Sequence, residues 1–448
     1  EPEHGDGGRV AAGAQPEVDA AGEVLRREHR RVGGGDLEQG CARRPRGAAD
    51  VHQRSGHRFL TRGARRRLRT DRRCRMIIGI PKEIKVKENR IACTPAGARM
   101  LINNDHDVWV QKGAGIGSGF TDDQFLTSGA KIVDTAAEAW SADMVIKVKE
   151  PIAEEYAFLR EGLLLFTYLH LAADRNLTDA LCSSGTTGLA YETIQAGRRL
   201  PLLEPMSEIA GRMSAVMGAF YLSRTQGGKG VLLGGVPGVL PGNVLIIGGG
   251  TAGINAGRVA AGIGADVTIL EVDLEQMRYL DISLHGAAHT LYSNEQNLLD
   301  MLPNVDLLIG AVLVPGAKAP KLIRRDMLRV MKPGAVFVDI AIDQGGCAET
   351  SRPTTHEDPV YLEEDTIHYC VANMPGAYAR TATQALTNAT IPYALKIANL
   401  GFADAVETIP ELLPGINTFD GHIAYAAVAE AHDLTHKPYA VQGHLHTP

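Results

Sequence analysis

A glycine-rich turn in the middle of the chain has the residues needed to bind a dinucleotide. The apolar run 244–247 leads directly into GGGTAG at residues 248–253, and an Ala-rich segment follows. Between a strand and a helix, Gly248 would permit the tight turn, Gly250 would let a pyrophosphate approach the backbone, and Gly253 would let helix and strand pack closely. The phosphates would then lie at the helix N-terminus, where backbone N–H groups can donate to them.

An acidic residue at a suitable distance makes this prediction more specific. Glu271 ends the next apolar run, VTILE, about twenty residues beyond the turn. A carboxylate there accepts hydrogen bonds from the ribose 2′-hydroxyl and repels a 2′-phosphate, so the sequence favours NAD over NADP. The alternative is a plain glycine turn followed by a surface glutamate. Because Arg278 lies only seven residues further on, some use of NADP stays open.

Four polar residues outside this turn could carry chemistry: Arg90, Lys149, His170 and Asp343. Lys149 follows the apolar run MVIKV, His170 ends LLLFTYLH, and Asp343 follows VFVDIAI. Open α/β sheets bind ligands beyond the carboxyl ends of their strands, which is where Lys149, His170 and Asp343 would lie. Taken alone, three of them have a simpler interpretation. Arg90 could be a surface charge, Lys149 a solvated strand end and His170 a core histidine.

Alternating strands and helices must position these residues. In the first part of the chain, strands are predicted at 108–111, 131–133, 144–148 and 163–168, with helical segments such as 95–103 between them. This alternation predicts an α/β layer. A long helix over 206–226, capped by Ser207 beside Glu208, and a glycine-rich loop from Gly227 are expected to follow.

A second α/β run begins at residue 244. Its predicted strands are almost continuously apolar, which favours a doubly wound parallel sheet covered on both faces; they lie at 244–248, 267–272, 306–312, 335–341 and 368–373. Asp339 lies within one strand and is expected to be structural, whereas Asn373 ends the next strand on the same edge as Asp343. A helix over 377–400 and another beyond Gly421 would pack back on the first domain.

Composition excludes several classes of function. The net charge is −6, but the first 75 residues have 18 Arg against 11 Asp and Glu, a local charge of +7, so residues 76–448 carry −13. Nucleic acids and anionic membranes require clustered Lys and Arg, and no run approaches the ~20 apolar residues of a membrane span. We therefore expect a small-molecule partner. The six cysteines show no CxxC pair or metal-type spacing, which favours a reduced, cytoplasmic setting.

The first 75 residues are expected not to belong to the fold. They contain no Lys, Ile, Asn, Tyr, Met or Trp and are crowded with Arg, Gly and Ala. We expect a disordered, non-native extension, encoded by GC-rich DNA ahead of a start at Met76, because it has few apolar residues to bury. A transit peptide would be poorer in acidic residues, and a nucleic-acid-binding arm would not interleave so many carboxylates with its arginines.

Long segments between residue 76 and about residue 435 resemble the alanine dehydrogenases. They include GIPKEIKVKENRIACTPAG, KVKEP, YLHLAA, PMSEIAGRM, RTQGGKGVLLGGVPGV, VDIAIDQGG, VANMPGA and ALTNATIPY. The resemblance implies two Rossmann-like domains, with a NAD-binding doubly wound parallel sheet over 203–379 inserted into a discontinuous α/β catalytic domain over 76–202 and 380–448. It also implies a homo-oligomer, commonly a hexamer.

The resemblance implies a role for each candidate residue. Arg90 and Lys149 would bind the substrate, His170 would be the acid/base and Asp343 the catalytic aspartate. The implied nucleotide contacts are Ser207, Gly248, Gly250, Thr251, Ala252, Gly253, Glu271, Arg278, Val312, Leu313, Asn373 and Met374. The implied reaction is the reversible oxidation of L-alanine by NAD to pyruvate and ammonium, which requires no metal.

Two positions depart from the family's pattern, and two other functions stay open. Glu271 stands where many members carry Asp, which leaves the ribose geometry open, and Ala379 replaces a proline, which would loosen that loop. The soluble nucleotide-binding subunit of a proton-translocating transhydrogenase has a similar opening segment, but it typically carries Glu-Ala where this chain has Asp343-Gln344. A non-catalytic NAD-binding module would be expected to lack some of the four polar candidates, and all four are present.

Overall fold

The computed structural model describes residues 75–314 and 318–440. The extension predicted over 1–75 lies outside these residues, apart from its last residue. Among the helices in the described ranges, none combines the length and the apolar character that a membrane crossing requires.

The described residues form short strands that alternate with helices over most of the chain. In chain order, the strands are β1 (Ile77–Ile80), β2 (Asp107–Gln111), β3 (Lys131–Val133), β4 (Met144–Ile146), β5 (Leu164–Thr167), β6 (Thr187–Ala190), β7 (Asn243–Ile247), β8 (Asp266–Glu271), β9 (His289–Tyr292), β10 (Leu307–Gly310), β11 (Val336–Asp339), β12 (Val360–Glu363), β13 (Thr366–Tyr369), β14 (Ile416–Phe419) and β15 (His422–Ile423).

The α-helices cover the faces of the sheets made by these strands. They are α1 (Pro95–Ile102), α2 (Asp122–Ser128), α3 (Ala136–Trp140), α4 (Arg175–Ser184), α5 (Glu204–Tyr221), α6 (Thr251–Gly262), α7 (Leu274–Leu284), α8 (Glu295–Met301), α9 (Arg325–Leu328), α10 (Ala379–Leu400), α11 (Phe402–Thr408) and α12 (Ala426–Ala431).

The first sheet combines strands from both parts of the chain, in the order β15-β14-β6-β5-β4-β1-β2-β3. β1 to β6 pair in parallel, and β14 and β15 add antiparallel at one edge. Ile146 packs into one core cluster and its neighbour Val145 into another. Both faces are therefore covered, as parallel strands require.

The second sheet lies in sequence between the two parts of the first, in the order β12-β13-β11-β10-β7-β8-β9. All its pairs are parallel except β12 on β13. Val244 and Ile246 face one core cluster, and Leu245 and Ile247 face another. The predicted α/β class, with two sheets of largely parallel strands, is confirmed. The domain limits at 202/203 and 379/380 stay predictions.

The prediction that Ser207 caps the long helix was wrong. The helix α5 begins at Glu204 after Leu203, has a proline in its first turn, and contains Ser207 in its interior. Proline is common in the first turn of a helix, because a backbone N–H there would have no partner within the helix. The α-helix ends at Tyr221, and a 3₁₀ turn occupies 224–226.

Other boundaries shifted by a few residues, and several strands were missed. The helix predicted over 377–400 begins at Ala379, because residues 374–378 form a 3₁₀ turn. The strands β6, β9, β12, β14 and β15 were not predicted. They are short, and polar residues interrupt their apolar pattern.

Candidate active site

A cavity of about 480 Å³ opens beyond the carboxyl ends of strands from both sheets. Residues that follow β5 and β6 of the first sheet line it together with residues that follow β10, β11 and β13 of the second. Of the predicted site residues, those in its wall are His170, Ser207, Ala252, Val312, Leu313, Asp343 and Met374. Candidates for acid/base chemistry and for nucleotide binding thus share one cavity.

Two further candidates lie one contact away from this wall, and Lys149 lies two contacts away. Arg90 Nη1 lies 3.2 Å from Sδ of Met206, which lines the cavity. The Asn373 backbone N–H donates to Asp343 Oδ1 at 3.1 Å. Lys149 Nζ lies 3.8 Å from a Glu150 carboxylate oxygen that also contacts His170. The remaining candidates lie in the glycine turn or near the end of β8: Gly248, Gly250, Thr251, Gly253, Glu271 and Arg278.

His170 lies just beyond β5 in a left-handed backbone conformation, with φ 49° and ψ 35°. This conformation is uncommon for residues other than glycine. The Glu192 carboxylate stabilises it, because Oε1 accepts hydrogen bonds from the backbone N–H groups of His170 at 2.7 Å and Leu169 at 3.1 Å. The chain therefore turns sharply at His170, and the residue reaches the cavity.

The His170 ring contacts Glu150, with 3.1 Å between Nδ1 and Oε2. Burial and the nearby Lys149 act to lower the pKa of His170, but the hydrogen bond to Glu150 and the charge of Glu192 outweigh them, so the pKa is raised. Burial acts to raise the pKa of Glu150, but Lys149, His170 and Lys85 hold it below its ordinary value. The site therefore favours a charged carboxylate beside a ring that can accept a proton.

Arg90 is buried and already has a carboxylate partner. Its Nε donates to Glu88 Oε1 at 2.7 Å, and its Nη2 donates to Glu88 Oε2 at 2.6 Å and to Asn373 Oδ1. Burial acts to raise the pKa of Glu88, but its bonds to Arg90 and Asn373 lower it to about 2. One edge of the guanidinium fork is thus occupied. In this conformation, Nη1 of Arg90 contacts Met206, and Met206 lines the cavity.

A buried charge cluster supports the strand end that carries Lys149. Lys147 Nζ is fully buried and lies 3.0 Å from Glu83 Oε2 and 2.7 Å from Glu155 Oε1. The other oxygen of Glu83 accepts from the backbone N–H of Val148 at 2.6 Å. Buried charges are costly unless they are paired, so Lys147 holds Glu83 in place. Glu83 in turn fixes the backbone at Val148, immediately before Lys149.

Asp339 is structural, as the sequence predicts. It is fully buried, and its carboxylate accepts from the backbone N–H groups of Ala341 at 3.0 Å and Cys347 at 2.8 Å. It caps the 3₁₀ turn Ile340–Gln344, which carries Asp343 to the cavity. In that turn, Gln344 Oε1 is buried and has no hydrogen-bond partner among residues 75–314 and 318–440, so the wall offers a polar group that a ligand could bind.

The glycine turn has the geometry expected for a pyrophosphate site. Gly248 has φ +98°, and a Cβ there would lie 2.6 Å from the Ala311 carbonyl oxygen. A Cβ on Gly253 would lie 1.9 Å from the Gly248 carbonyl oxygen, whereas a Cβ on Gly250 would meet nothing within 4 Å. Gly250 also precedes the first residue of α6. Open space beside a helix N-terminus fits a phosphate group.

Glu271 lies against this turn, but its carboxylate is already hydrogen-bonded. Oε2 accepts from the Gly249 N–H at 2.8 Å, and Oε1 accepts from the N–H groups of Val272 at 2.6 Å and Asp273 at 3.0 Å. Arg278 is largely exposed and pairs with Glu275. Glu271 therefore lies where a residue that binds the ribose is expected, and Oε2, which accepts one hydrogen bond, can accept another from a ribose hydroxyl.

Sequence reasoning missed the carboxylates that contact the candidate residues. The sequence could have indicated Glu88 and Glu150, because Glu88 lies two residues before Arg90 and Glu150 directly follows Lys149. No local sequence pattern indicated Glu192, because only the pairing of β5 with β6 brings it to His170. The tail helix α12 also contributes to the wall, through Val428 and Ala431.

Comparison with known proteins identifies relatives over nearly all of the described chain. The family described as "Alanine dehydrogenase/PNT, N-terminal domain" matches residues 79–210, and "Alanine dehydrogenase/PNT, C-terminal domain" matches 214–426. The alanine dehydrogenase of Methanococcus maripaludis is 55% identical over 366 residues, which are 81% of this chain and 98% of that protein. The alanine dehydrogenase of Bacillus subtilis is 54% identical over 79% of this chain and 94% of that protein.

Solved structures share the fold. An L-alanine dehydrogenase matches with a TM-score of 0.76 and 48% identity, over 80% of this chain and 99% of that chain. A transhydrogenase from Sinorhizobium meliloti matches with a TM-score of 0.66 over 78% of this chain and 99% of that chain. Because the transhydrogenase is only 24% identical, it shows the fold alone.

Proposed function

The chain belongs to the alanine dehydrogenase/PNT family, and on this premise we propose that it catalyses the reversible, NAD-dependent oxidation of L-alanine to pyruvate and ammonium. The observation that carries the proposal is that His170 from the first sheet and Asp343 from the second line one cavity. Ser207, Ala252 and Met374, which are proposed nucleotide contacts, line the same cavity. We further propose that 203–379 is the NAD-binding domain and that 76–202 and 380–448 form the catalytic domain.

The family and the Rossmann-like second sheet imply a nicotinamide cofactor, and we propose NAD. The glycine turn, the open space at Gly250 and the unpartnered Gln344 Oε1 fit such a group. Glu271, beside the turn, would accept hydrogen bonds from the ribose and repel a 2′-phosphate. When bound, the nicotinamide would accept a hydride from Cα of the substrate.

The residues of the first sheet would bind the substrate. Arg90 would donate Nη1 to the alanine carboxylate, while its Nε and Nη2 stay with Glu88. Lys149 would supply a second cation for a carboxylate or carbonyl oxygen. A shift of Glu88 would free the complete fork for bidentate binding.

His170 and Asp343, which line the cavity from the two different sheets, would handle protons and charge. Loss of hydride from Cα leaves an iminium, and water then attacks that carbon. His170 would take the proton from the water, because imidazole is the side chain whose ordinary pKa lies nearest to neutral pH. Asp343, held by the Asn373 N–H, would orient the water and offset the positive charge of the iminium.

We also propose that the chain forms homo-oligomers in the cytoplasm, with the hexamer implied by the resemblance. The loop after α5 exposes large apolar side chains, Leu232, Val236, Val239 and Leu240, which favours association. The cysteines of the described residues are free thiols, which fits a reducing compartment. Analytical ultracentrifugation measures the assembly directly.

An absorbance assay for NADH tests the proposed reaction. We expect NADH to form with L-alanine, far more slowly with L-serine or glycine, and not in buffer. The reverse reaction should consume NADH only when pyruvate and ammonium are both present. Hydride exchange between nucleotides without an amino acid would favour a transhydrogenase function instead, and NADH binding without turnover would favour a non-catalytic module.

A further inference from the structure

Glu150 is a largely shielded carboxylate that contacts three basic side chains and has no role in the mechanism above. Its side chain is 11% exposed. Oε2 lies 3.1 Å from His170 Nδ1 and 3.8 Å from Lys149 Nζ, and Oε1 accepts a hydrogen bond from Lys85 Nζ. It thus contacts both a proposed substrate residue and the proposed acid/base.

The contact with Glu150 determines which ring nitrogen of His170 can accept a proton. An ionised carboxylate only accepts hydrogen bonds, so Nδ1 must carry the hydrogen. In the neutral ring, Nε2 is then the acceptor. Among the described residues Nε2 has no hydrogen-bond partner, and the His170 side chain is 27% exposed in the cavity wall.

Other charged groups near His170 are placed differently. Glu192 accepts from the backbone N–H of His170 and does not bond the ring. Lys149 opposes protonation of His170 by its positive charge. The remaining titratable side chains in the cavity wall come from the turn and helix that follow His170, from the second sheet and from the tail: Arg175, Lys318, Asp343 and His432. Glu150 is therefore the carboxylate on the ring itself.

We propose that Glu150 is a positioning residue for His170, which fixes the Nδ1–H tautomer and keeps Nε2 basic and directed at the substrate. The inference rests on the proposed function of His170. As water attacks Cα of the iminium, a C–O bond forms and the C=N π pair moves to the nitrogen, while an O–H bond of the water breaks and an Nε2–H bond forms. The new positive charge on the ring is balanced by Glu150. No electron is transferred in this step.

The pH dependence of kcat/KM for L-alanine tests the proposal. Glu150→Gln keeps the size of the side chain and removes its charge. The carboxylate raises the pKa of His170, and the unprotonated ring is required for alanine oxidation. The acid limb of the profile should therefore move to lower pH in this variant. The maximal kcat should also fall by about 10- to 100-fold, a part of the ~10²- to 10⁴-fold that a positioned acid/base contributes.

Three variants separate positioning from a merely structural effect. Glu150→Asp keeps the charge and should keep the acid limb closer to that of the wild type. In the His170→Ala background, Glu150→Gln should cause little further loss, because the two residues act as a unit. Glu154→Gln, at an exposed glutamate four residues away, should leave both kcat and the profile unchanged. Thermal melting confirms that each variant is folded.

Histidine ¹⁵N NMR of the nucleotide-free protein gives a readout that is independent of turnover. The His170 signal, identified by its loss in His170→Gln, should show the Nδ1–H tautomer in the wild type and titrate at lower pH in Glu150→Gln. An unchanged titration would overturn the inference. A shifted titration with an unchanged kcat/KM profile would instead overturn the proposed acid/base function of His170, and with it the catalytic part of the inference.

Discussion

The edges of the two sheets are built by different means. At the second sheet, Gly248, Gly250 and Gly253 shape the proposed nucleotide site through backbone geometry and the absence of side chains. At the first sheet, Arg90 and His170 each contact a carboxylate, and buried Lys147 contacts two. The comparison teaches that the proposed nucleotide edge is shaped by space, whereas the proposed substrate edge is shaped by paired charges that are largely shielded from solvent. Substitutions at the proposed substrate edge should therefore impair stability, substrate binding or turnover, whereas substitutions at the proposed nucleotide edge should impair nucleotide binding or nucleotide choice.

The largest effect on stability is expected from the charge cluster beneath Lys149. Lys147→Met would leave Glu83 and Glu155 buried without their cation, and breaking such a pair typically costs about 3–5 kcal/mol. Lys112→Met is the matched control, because Lys112 is mostly exposed and lies 3.8 Å from an exposed Asp134; an exposed pair of this kind contributes about 0–1 kcal/mol. Urea unfolding measures both, and similar values for the two variants would contradict the stabilising role of the buried cluster.

A smaller effect, confined to the substrate, is expected from Arg90→Lys. Lysine keeps the charge but loses the planar fork that contacts Glu88 and Asn373. KM for L-alanine should rise by about 10- to 100-fold, a loss of roughly 1.4–2.7 kcal/mol, while the Kd for NADH stays nearly constant. As a control, Arg329→Lys should change neither value strongly, because Arg329 is exposed, pairs with Glu364 and is not a proposed site residue. Equal losses of alanine and NADH binding in Arg90→Lys would place Arg90 outside the substrate site.

The smallest effect concerns the choice of nucleotide. With Glu271 beside the glycine turn, kcat/KM should be more than tenfold higher with NAD than with NADP, a difference above ~1.4 kcal/mol. Glu271→Gln should narrow this ratio, because it removes the charge that repels a 2′-phosphate. If the unaltered protein uses NADP within tenfold of NAD, then Glu271 does not read the ribose as proposed.

The same comparison explains how much could be predicted from the sequence. The second sheet was predicted well, because continuous apolar strands and a glycine pattern are local signals. The Ser207 cap was wrong, because Pro205 favours a helix start two residues earlier than the apolar pattern indicated. The antiparallel strand β12 was missed, since VYLE alone does not distinguish an edge strand from a loop.

The site was predicted less completely than the fold. The polar candidates were found by type and position, and seven of the predicted site residues line the cavity. Their carboxylate partners are set by tertiary structure: Glu192 reaches His170 only through strand pairing, and Glu88 reaches Asn373 across 285 residues of sequence. The sequence likewise could not show that Glu88 and Asn373 already occupy one edge of the Arg90 guanidinium, because Asn373 reaches Arg90 only in the folded chain.

The central claim is that the chemistry depends on His170 and Asp343 while nucleotide binding depends on the glycine turn. It is tested most directly by measuring kcat and the Kd for NADH on His170→Ala, Asp343→Asn and Gly250→Ala. We predict that His170→Ala lowers kcat by about 10²- to 10⁴-fold with little change in NADH binding, and that Asp343→Asn also lowers kcat. Gly250→Ala should mainly weaken NADH binding. Near-normal turnover in His170→Ala or Asp343→Asn would contradict the claim.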